Sequence, residues 1–426
     1  MKENLENKAK DEPNAEPIIK LENELKENFD FRFNEVLKQI EFREKGKQKF
    51  EILSEENRTK QKLRVYLAKK KFKSYKTFLD DLLADPDITK SYNPFNDYFE
   101  NLPHWDEKMP DYISKLCSYI KVKDQVWFNL MFKKHLVRTV ACALRKIEFN
   151  KHCFVLQGKQ NDGKSFFIRS LMPKFFNGDY YKEDPPLDHK DAAISLSRNL
   201  MINLDELHEL DKTAAGKIKA LFSKNQISER LSHDKFDSKL IRYASFFGTI
   251  NNTDFLNDTS GNVRWLIFQV EEIFWNGEDG YVANTDMDLV WSQAFHLLKN
   301  GFEPELNKEE IARVNEKNRF FQKFSRENEL VEKYFEPSSK EDEEAFFITA
   351  NDMLAGMNFI EKENGLRINT NNIGKALEYF KYDRIQGRRK GKKTPFYGYY
   401  VKVLNDKVLI FLEKYINNVT TLLQES

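Results

Sequence analysis

The stretch HCFVLQGKQNDGKSFFIRSLMPKFF (152–176) decides the fold of this chain. Its first seven residues form a short apolar, β-prone run that ends in glycine, as a buried parallel strand does. The following GKQNDGKS (158–165) fits the pattern Gly-x4-Gly-Lys-Ser/Thr, and a helical pattern comes directly after it. A strand, a glycine-rich loop and a helix in this order predict a phosphate-binding P-loop, although the pattern alone also occurs in coincidental glycine-rich turns.

The chemistry expected of this loop is ATP binding with Mg²⁺. Glycines let the backbone curl so that its N–H groups point at phosphate oxygens. We expect Lys164 to reach the β- and γ-phosphates and the Ser165 hydroxyl to bind the metal. The whole loop is predicted to contact the nucleotide: Gly158, Lys159, Gln160, Asn161, Asp162, Gly163, Lys164 and Ser165.

Two acidic residues follow the next apolar run. NLMINL (199–204) has the pattern of a second buried strand and leads directly into Asp205 and Glu206. Asp205 is expected to hold the magnesium shell, and Glu206 to polarise the attacking water. The alternative is an ordinary transition from strand to loop.

Two further strands carry polar residues at their ends. YASFFGTI (243–250) precedes Asn251, which is expected to orient the lytic water; a simple turn asparagine is the alternative. RWLIFQV (264–270) begins with Arg264, which is placed to reach a neighbouring subunit's nucleotide or to form a surface ion pair. Helical segments separate some of these strands, which favours a parallel α/β core.

These pieces resemble, in their order, the virulence-associated E family, which is similar to superfamily 3 helicases and phage-type primase-helicases of the AAA+ class. The matching segments run from about Asn93 to Glu271: NPFNDYFENLPHWD (93–106), the P-loop, DHKDAAISLSRNLMINLDEL (188–207), ERLSHDKF (229–236), FFGTINNTDFL (246–256) and DTSGNVRWLIF (258–268). The resemblance implies an ATP-dependent DNA helicase or translocase of a mobile element, acting as a homo-oligomeric ring, with a hexamer expected, on single-stranded DNA during replication.

The resemblance also assigns a DNA contact. In such helicases a hairpin before the asparagine-bearing strand projects into the ring channel, and here its tip falls near Ser232–Phe236. His233 and Lys235 are therefore the expected contacts, since tracking a single strand requires a cation and often a ring. A solvated turn is the alternative. The family commonly carries two adjacent arginines where this chain has Val263-Arg264, so Arg264 alone would serve as the arginine finger.

The C-terminal part predicts a winged helix. ENELVEKYFE, ITANDMLAGMN and TNNIGKALEYFKY are three helix patterns, the second capped by Thr349 and the third by Thr370 or Asn371. DRIQGRRKGKKTPFYGYYVKVL (383–404) then reads as strand, turn and strand. The turn carries five cations expected to meet DNA phosphates: Arg388, Arg389, Lys390, Lys392 and Lys393. A winged helix used for protein contacts is the alternative.

The expected chain is thus α/β: an AAA+ P-loop ATPase core with an α-helical N-terminal region and a C-terminal winged-helix domain. The expected bounds are a disordered tail (1–20), a helical basic region (21–92), helices leading into the ATPase (93–147), the ATPase (148–302), a linker (303–327), the winged helix (328–404) and a C-terminal helix or tail (405–426). Within the basic region, the run 60–78 suits a nucleic-acid face and a solvated helix surface equally well.

Composition narrows the function classes. The 40% of hydrophobic residues among 426 exclude a globally disordered chain, and 69 basic against 68 acidic residues indicate that any nucleic-acid surface is a local patch. Cys117, Cys142 and Cys153 read as reduced core thiols. Neither a membrane span nor a secretory signal is evident, so the expected location is the cytoplasm. Two other functions stay open: an ATP-dependent DNA-binding switch or loader without unwinding activity, and a small-molecule kinase.

Overall fold

A twisted, mainly parallel sheet forms the centre of the computed structural model and is flanked by helices. The structure describes residues 16–176, 178–186, 189–207, 212–223, 227–229, 238–252, 256, 262–322, 325–361, 369–387 and 395–422. Within these ranges, the chain divides into an N-terminal module, the central α/β part and a C-terminal module, each with its own buried cluster of apolar side chains.

The N-terminal module is a small sheet packed against helices. Its elements are α1 (Glu16–Asn28), β1 (Phe29–Asn34), β2 (Gln39–Glu44), β3 (Glu51–Ile52), α2 (Thr59–Lys69), α3 (Tyr75–Ala84) and β4 (Thr89–Tyr92). The strand order is β3-β2-β1-β4, with β1 antiparallel to β2 and parallel to β4.

The prediction that residues 21–92 are helical is therefore wrong for the strands of this module. The cause is visible in FDFRFN (29–34), where phenylalanines stand at every second position, which is the period of a strand with one buried face. Part of the basic run is also ion-paired: Lys60 contacts Asp80 at 2.8 Å, and Arg64 contacts Glu55 at 2.9 Å.

The segment before the glycine-rich loop forms α4 (Pro94–Glu100), α5 (Tyr112–Ser118), β5 (Ile120–Val122) and α6 (Gln125–Ala143). Helix α6 packs under the sheet with an almost entirely buried face. Trp105 is buried, and its indole N–H donates to the carbonyl oxygen of Pro110 over 3.0 Å, so this residue has a packing role.

The central sheet then follows. Its elements are β6 (Cys153–Gln157), α7 (Lys164–Ser170), β7 (Tyr181–Glu183), α8 (His189–Arg198), β8 (Met201–Leu204), α9 (Lys212–Ser223), β9 (Ile227–Glu229), β10 (Ser238–Leu240), β11 (Ser245–Ile250) and β12 (Trp265–Ile273). Among the described residues the order is β5-β12-β6-β11-β8-β7, with β5 antiparallel and the other five mutually parallel. Strands β9 and β10 pair separately as an antiparallel ribbon.

The four strands predicted around this loop are present, so the α/β class is confirmed. The short edge strands β5 and β7 were not predicted, because each has only three residues and no long apolar run. The three cysteines are buried and free, as expected for core thiols.

Helices α10 (Tyr281–Asn284), α11 (Met287–Lys299) and α12 (Lys308–Asn318) close the central part. Helix α12 lies inside the stretch predicted as a linker, and it is docked against α6. Lys134 pairs with Glu310 at 2.9 Å, and the amide of Asn318 donates to the carbonyl oxygen of Trp265 over 2.8 Å. The charged residues of this stretch lie on the exposed face of a helix or form ion pairs. In the sequence alone, such a charged segment resembles a linker.

The C-terminal module contains α13 (Arg326–Tyr334), β13 (Phe335–Pro337), β14 (Phe346–Ile348), α14 (Ala350–Glu361), α15 (Thr370–Tyr379), β15 (Ile385–Gly387), β16 (Phe396–Val403) and α16 (Asp406–Leu422). Strand β16 pairs antiparallel with β13, β14 and β15. Thr349 caps α14 as expected, while α15 is capped by Asn369 rather than by Thr370 or Asn371. Across the described ranges, we find no helix long and apolar enough to span a membrane.

Candidate nucleotide-binding site

The site lies where the parallel strands end. Because β6, β8 and β11 are neighbours and parallel, the segments that follow them meet at the same edge of the sheet. The glycine-rich loop is bonded to this edge at its first residue: Gly158 N–H donates to the carbonyl oxygen of Ile250 over 3.1 Å. The side-chain amide of Gln157 donates to the carbonyl oxygen of Asn251, also over 3.1 Å.

The loop curls around the Lys164 ammonium. Asn161 and Gly163 have left-handed backbone conformations, with φ of +65° and +81°, which turn the chain into α7. The Lys164 ammonium donates to the carbonyl oxygen of Gly158 over 3.1 Å and to that of Lys159. Burial lowers the pKa of Lys164, and the carboxylates of Asp162, Asp205 and Glu206 act in the opposite direction. The cation is thus held on the inner side of the loop.

Asp205 joins the loop to the neighbouring strands. The Ser165 hydroxyl donates to Asp205 Oδ1 over 2.7 Å, and the Thr249 hydroxyl donates to the same oxygen. The backbone N–H of Asp205 donates to the Asp184 carboxylate over 2.8 Å. Desolvation raises the pKa of Asp184, and the hydrogen bond from Asp205 opposes this shift. The ends of β7, β8 and β11 therefore meet at Asp205, whose carboxylate accepts the two hydroxyl hydrogen bonds and whose N–H bonds to Asp184.

Glu206 has a special backbone conformation. Its φ of +46° lies in the left-handed region, which a non-glycine residue adopts only at some cost, and such residues concentrate at functional sites. Its N–H donates to the Thr249 hydroxyl oxygen over 3.3 Å. This bend places Glu206 directly after Asp205 at the same edge, as the sequence predicts.

These residues fit ATP with Mg²⁺. A hydroxyl and a carboxylate oxygen are the ligand types that magnesium takes, and Ser165 and Asp205 present both within one hydrogen bond of each other. The curled backbone around Gly163 and the enclosed Lys164 ammonium suit phosphate oxygens. The residues present thus match the group that the loop pattern predicts.

The family comparison establishes the relationship of the chain. A profile of the virulence-associated protein E-like domain matches residues 99–323, which is more than half of the 426 residues. This chain belongs to the virulence-associated protein E-like family. The match includes the loop, the acidic pair, Asn251 and Arg264, and it extends through α12, so the predicted linker belongs largely to the family domain.

Solved structures give weaker likenesses. The apo structure of the NrS-1 C-terminal region has 12% identity and a TM-score of 0.48, covering 91% of this chain and 99% of that one. A structure described as SCCmec type IV Cch, active helicase, has 13% identity and a TM-score of 0.29, covering 83% of this chain and 73% of the other. No curated protein matches the chain.

In this family member, Arg264 lies away from the glycine-rich loop of its own chain. Strands β12 and β6 are parallel, with Trp265 beside Cys153 and Gln269 beside Gln157. Arg264 thus precedes the start of β12, whereas the loop follows the end of β6. Five strand residues, or ~20 Å, separate the level of Arg264 from the level of the loop. Arg264 does not join the site of its own chain.

The predicted DNA contacts lie outside the described residues. These are His233, Lys235, Arg388, Arg389, Lys390, Lys392 and Lys393. The described strands on either side of them run as expected: β9 and β10 flank the first group, and β15 and β16 flank the second. Those assignments stay predictions.

Two residues of the site were not predicted, Thr249 and Asp184. Thr249 is a polar residue within an otherwise apolar strand, and its position two residues before Asn251 was the available signal. Asp184 follows the unpredicted strand β7, so nothing in the sequence pattern marked it as an end of the same sheet.

Proposed function

We propose that this protein is an ATP-dependent DNA helicase or translocase of a mobile genetic element, working as an AAA+ ring, with a hexamer expected, on single-stranded DNA during replication. The observation that carries the proposal is the 2.7 Å hydrogen bond between Ser165 and Asp205. This hydrogen bond joins the phosphate-binding loop to the acidic end of β8. ATP hydrolysis in P-loop enzymes requires a loop hydroxyl and a strand-end carboxylate next to each other.

The hydrolytic roles follow from the positions of the side chains. Lys164 would balance charge on the β- and γ-phosphates of ATP. Ser165 and Asp205 would hold Mg²⁺, which would supply further charge neutralisation at the phosphate oxygens. Glu206 accepts a proton from the attacking water, and Asn251 orients that water at the end of β11. Thr249 holds Asp205 and Glu206 in position because its hydroxyl forms a hydrogen bond with each of them.

The position of Arg264 supports a ring. An arginine at the far end of the sheet from its own loop can reach a nucleotide only on a neighbouring molecule. A head-to-tail contact, in which each subunit offers its loop on one face and Arg264 on the other, generates a ring when the rotation between subunits closes. In this arrangement Arg264 stabilises the charge that develops on the transferred phosphoryl group.

The DNA-contacting parts are connected to the site through β11. The ribbon of β9 and β10 continues through Arg242 into β11, and Asn251 directly follows the end of β11. The site and the predicted contacts at His233 and Lys235 are therefore consecutive parts of one segment of chain. The C-terminal order of helix, two strands, two helices and two strands supports a winged helix, with a basic turn that meets phosphates.

ATP hydrolysis with and without single-stranded DNA tests the proposal. We expect DNA to stimulate the wild-type protein, Lys164→Ala to abolish hydrolysis, and Lys235→Ala to lose only the stimulation. Hydrolysis that ignores DNA would contradict the motor function. Hydrolysis stimulated by DNA without unwinding of a forked duplex would instead favour the switch or loader.

A further inference from the structure

Two exposed aromatic rings lie beside the nucleotide loop. Trp275 and Phe166 are 41% and 46% exposed, and their ring centroids are 5.4 Å apart at an angle of 64°. The other four tryptophans of the chain are at most 4% exposed: Trp105, Trp127, Trp265 and Trp291. Trp275 therefore differs from every other tryptophan in presenting its ring to solvent, although burying an indole is favourable.

The indole of Trp275 contacts the loop at its critical glycine. A Cβ atom placed on Gly163 would lie 3.4 Å from Trp275 Cδ1 and 3.7 Å from its Nε1. Gly163 directly precedes Lys164, and Phe166 directly follows Ser165. The two rings thus lie beside the loop segment that holds the phosphates in the proposed function.

A constrained turn holds Trp275 in this position. At Gly280, a Cβ atom would lie 2.5 Å from the carbonyl oxygen of Asn276, so a larger residue does not fit without a backbone shift. Tyr281 N–H donates to the carbonyl oxygen of Phe274 over 3.0 Å, which closes the turn. The phenol of Tyr281 accepts a hydrogen bond from Ser170 Oγ at 3.2 Å and packs edge-on to Phe167 on α7. The exposed indole is therefore anchored to the helix that carries Lys164.

We propose that Trp275 and Phe166 form the binding site for the nucleobase, with the purine of ATP stacking on one or both rings. This inference rests on the proposed function and specifies how the nucleotide is held beyond its phosphates. Stacking on an aromatic side chain suits a flat, neutral base and needs no polar partner. An exposed pair of rings, fixed next to the phosphate loop, provides the surface that a nucleotide's base can reach.

Fluorescence gives a direct test, because Trp275 alone among the five tryptophans is accessible to a quencher such as acrylamide. With the wild-type protein and EDTA present to prevent hydrolysis, we expect ATP to protect the accessible fraction. Inorganic tripolyphosphate, which carries the phosphates without a base, is expected to bind without protecting it. Trp275→Phe removes the accessible fraction and identifies the signal. Equal protection by both ligands would overturn the proposal.

Calorimetry separates base binding from packing. Trp275→Ala and Phe166→Ala are each expected to weaken ATP binding by about 10- to 100-fold while leaving tripolyphosphate affinity unchanged. Trp275→Phe retains a ring and is expected to restore most of the ATP affinity. Phe359→Ala, at a 49% exposed phenylalanine of the C-terminal module, is the control and is expected to change neither ligand.

Three results would contradict the proposal in distinguishable ways. Equal loss of both ligands in Trp275→Ala means that the indole only supports the loop. A change of oligomeric state in Trp275→Ala without nucleotide means that the ring is a subunit contact. If neither ligand binds the wild type, and Lys164→Ala is indistinguishable from it, the nucleotide site itself is wrong and the proposed function falls as well.

Discussion

The Thr249 hydroxyl oxygen accepts a hydrogen bond from the backbone N–H of Glu206 over 3.3 Å, and the same hydroxyl donates a hydrogen bond to the Asp205 carboxylate. One small side chain on β11 thereby fixes both acidic residues at the end of β8. Residues that orient a metal-binding carboxylate affect metal affinity and activity almost as strongly as the ligands do.

We therefore expect Thr249→Val to lower ATP hydrolysis by about 10- to 100-fold, with an increased requirement for Mg²⁺. Valine keeps the shape of threonine but removes the hydroxyl group. The measurement is the hydrolysis rate as a function of Mg²⁺ concentration. Thr249→Ser, which keeps the hydroxyl, is the matched control and is expected to remain close to wild type. A Thr249→Val variant with normal magnesium dependence would contradict the assigned role.

A second prediction concerns Arg264 and its action on a neighbouring subunit. Lys164→Ala and Arg264→Ala are each expected to be inactive alone. When the two variants are mixed, an intact loop meets an intact arginine at some subunit contacts, about a quarter of them for random assembly in equal amounts. Hydrolysis is therefore expected to reappear on mixing. Mixtures that remain inactive, although the subunits exchange as shown by labelled protein, would exclude action between subunits.

A third prediction concerns Arg242, a buried cation at the base of the β9–β10 ribbon. Its guanidinium donates to the carbonyl oxygens of Leu221 and Phe222 at the end of α9, and to that of Asn150, over 2.9–3.1 Å. Burial lowers the pKa of Arg242 to about 10. Removing the guanidinium leaves these buried carbonyl oxygens without hydrogen-bond donors, which lowers the free energy of unfolding.

Arg242→Met is accordingly expected to lower the free energy of unfolding by about 3 kcal/mol and the Tm by several degrees. Arg242→Lys keeps one cation in the same place, so its free energy of unfolding is expected to fall less than that of Arg242→Met. Arg326→Met removes a half-exposed, ion-paired arginine and is expected to change stability by less than about 1 kcal/mol. Thermal unfolding followed by circular dichroism measures all three. Equal melting of Arg242→Met and Arg326→Met would refute the anchoring role.

The strands and strand ends that the sequence predicted correctly are those marked by a pattern in one continuous segment. The loop from Gly158 to Ser165 requires glycine, lysine and serine at fixed spacing, so its pattern is visible in one segment of chain. Likewise, Asp205 and Asn251 each end a continuous apolar run. Because parallel strands bring such ends to one edge, strand assignment alone places them together.

The parts that were missed depend on contacts between distant segments. Asp184 belongs to the site only because β7 joins the sheet edge beside β8, and its three-residue strand has no distinctive pattern. Trp275 reaches Gly163 only through the turn that Gly280 permits. The N-terminal sheet differs from the predicted helical region because Phe29, Phe31 and Phe33 alternate with polar residues, which is the period of a strand.

The last prediction concerns acid stability and two histidines beneath the sheet. His135 and His152 are completely buried, and His135 packs edge-on to Phe247 at 4.7 Å. Burial lowers the pKa of His135 to about 3 and lowers that of His152 well below its ordinary value, and the nearby Arg138 acts in the same direction. Both rings are therefore neutral in the folded protein at moderately acidic pH. After unfolding, they bind protons below about pH 6.5.

Because both histidines have a lowered pKa in the folded state, the protein keeps its full stability above the unfolded-state pKa. It loses stability as the pH falls below that value. The unfolded state binds the extra protons, so stability decreases from about pH 6.5 downwards. Between pH 7.5 and 5.5 the two histidines are expected to remove about 3 kcal/mol from the free energy of unfolding. His135→Leu eliminates one of the two titrating groups and is expected to reduce this pH-dependent loss by about half. Urea unfolding of both proteins at the two pH values measures the difference. An unchanged pH dependence in His135→Leu would show that His135 does not remain neutral in the fold.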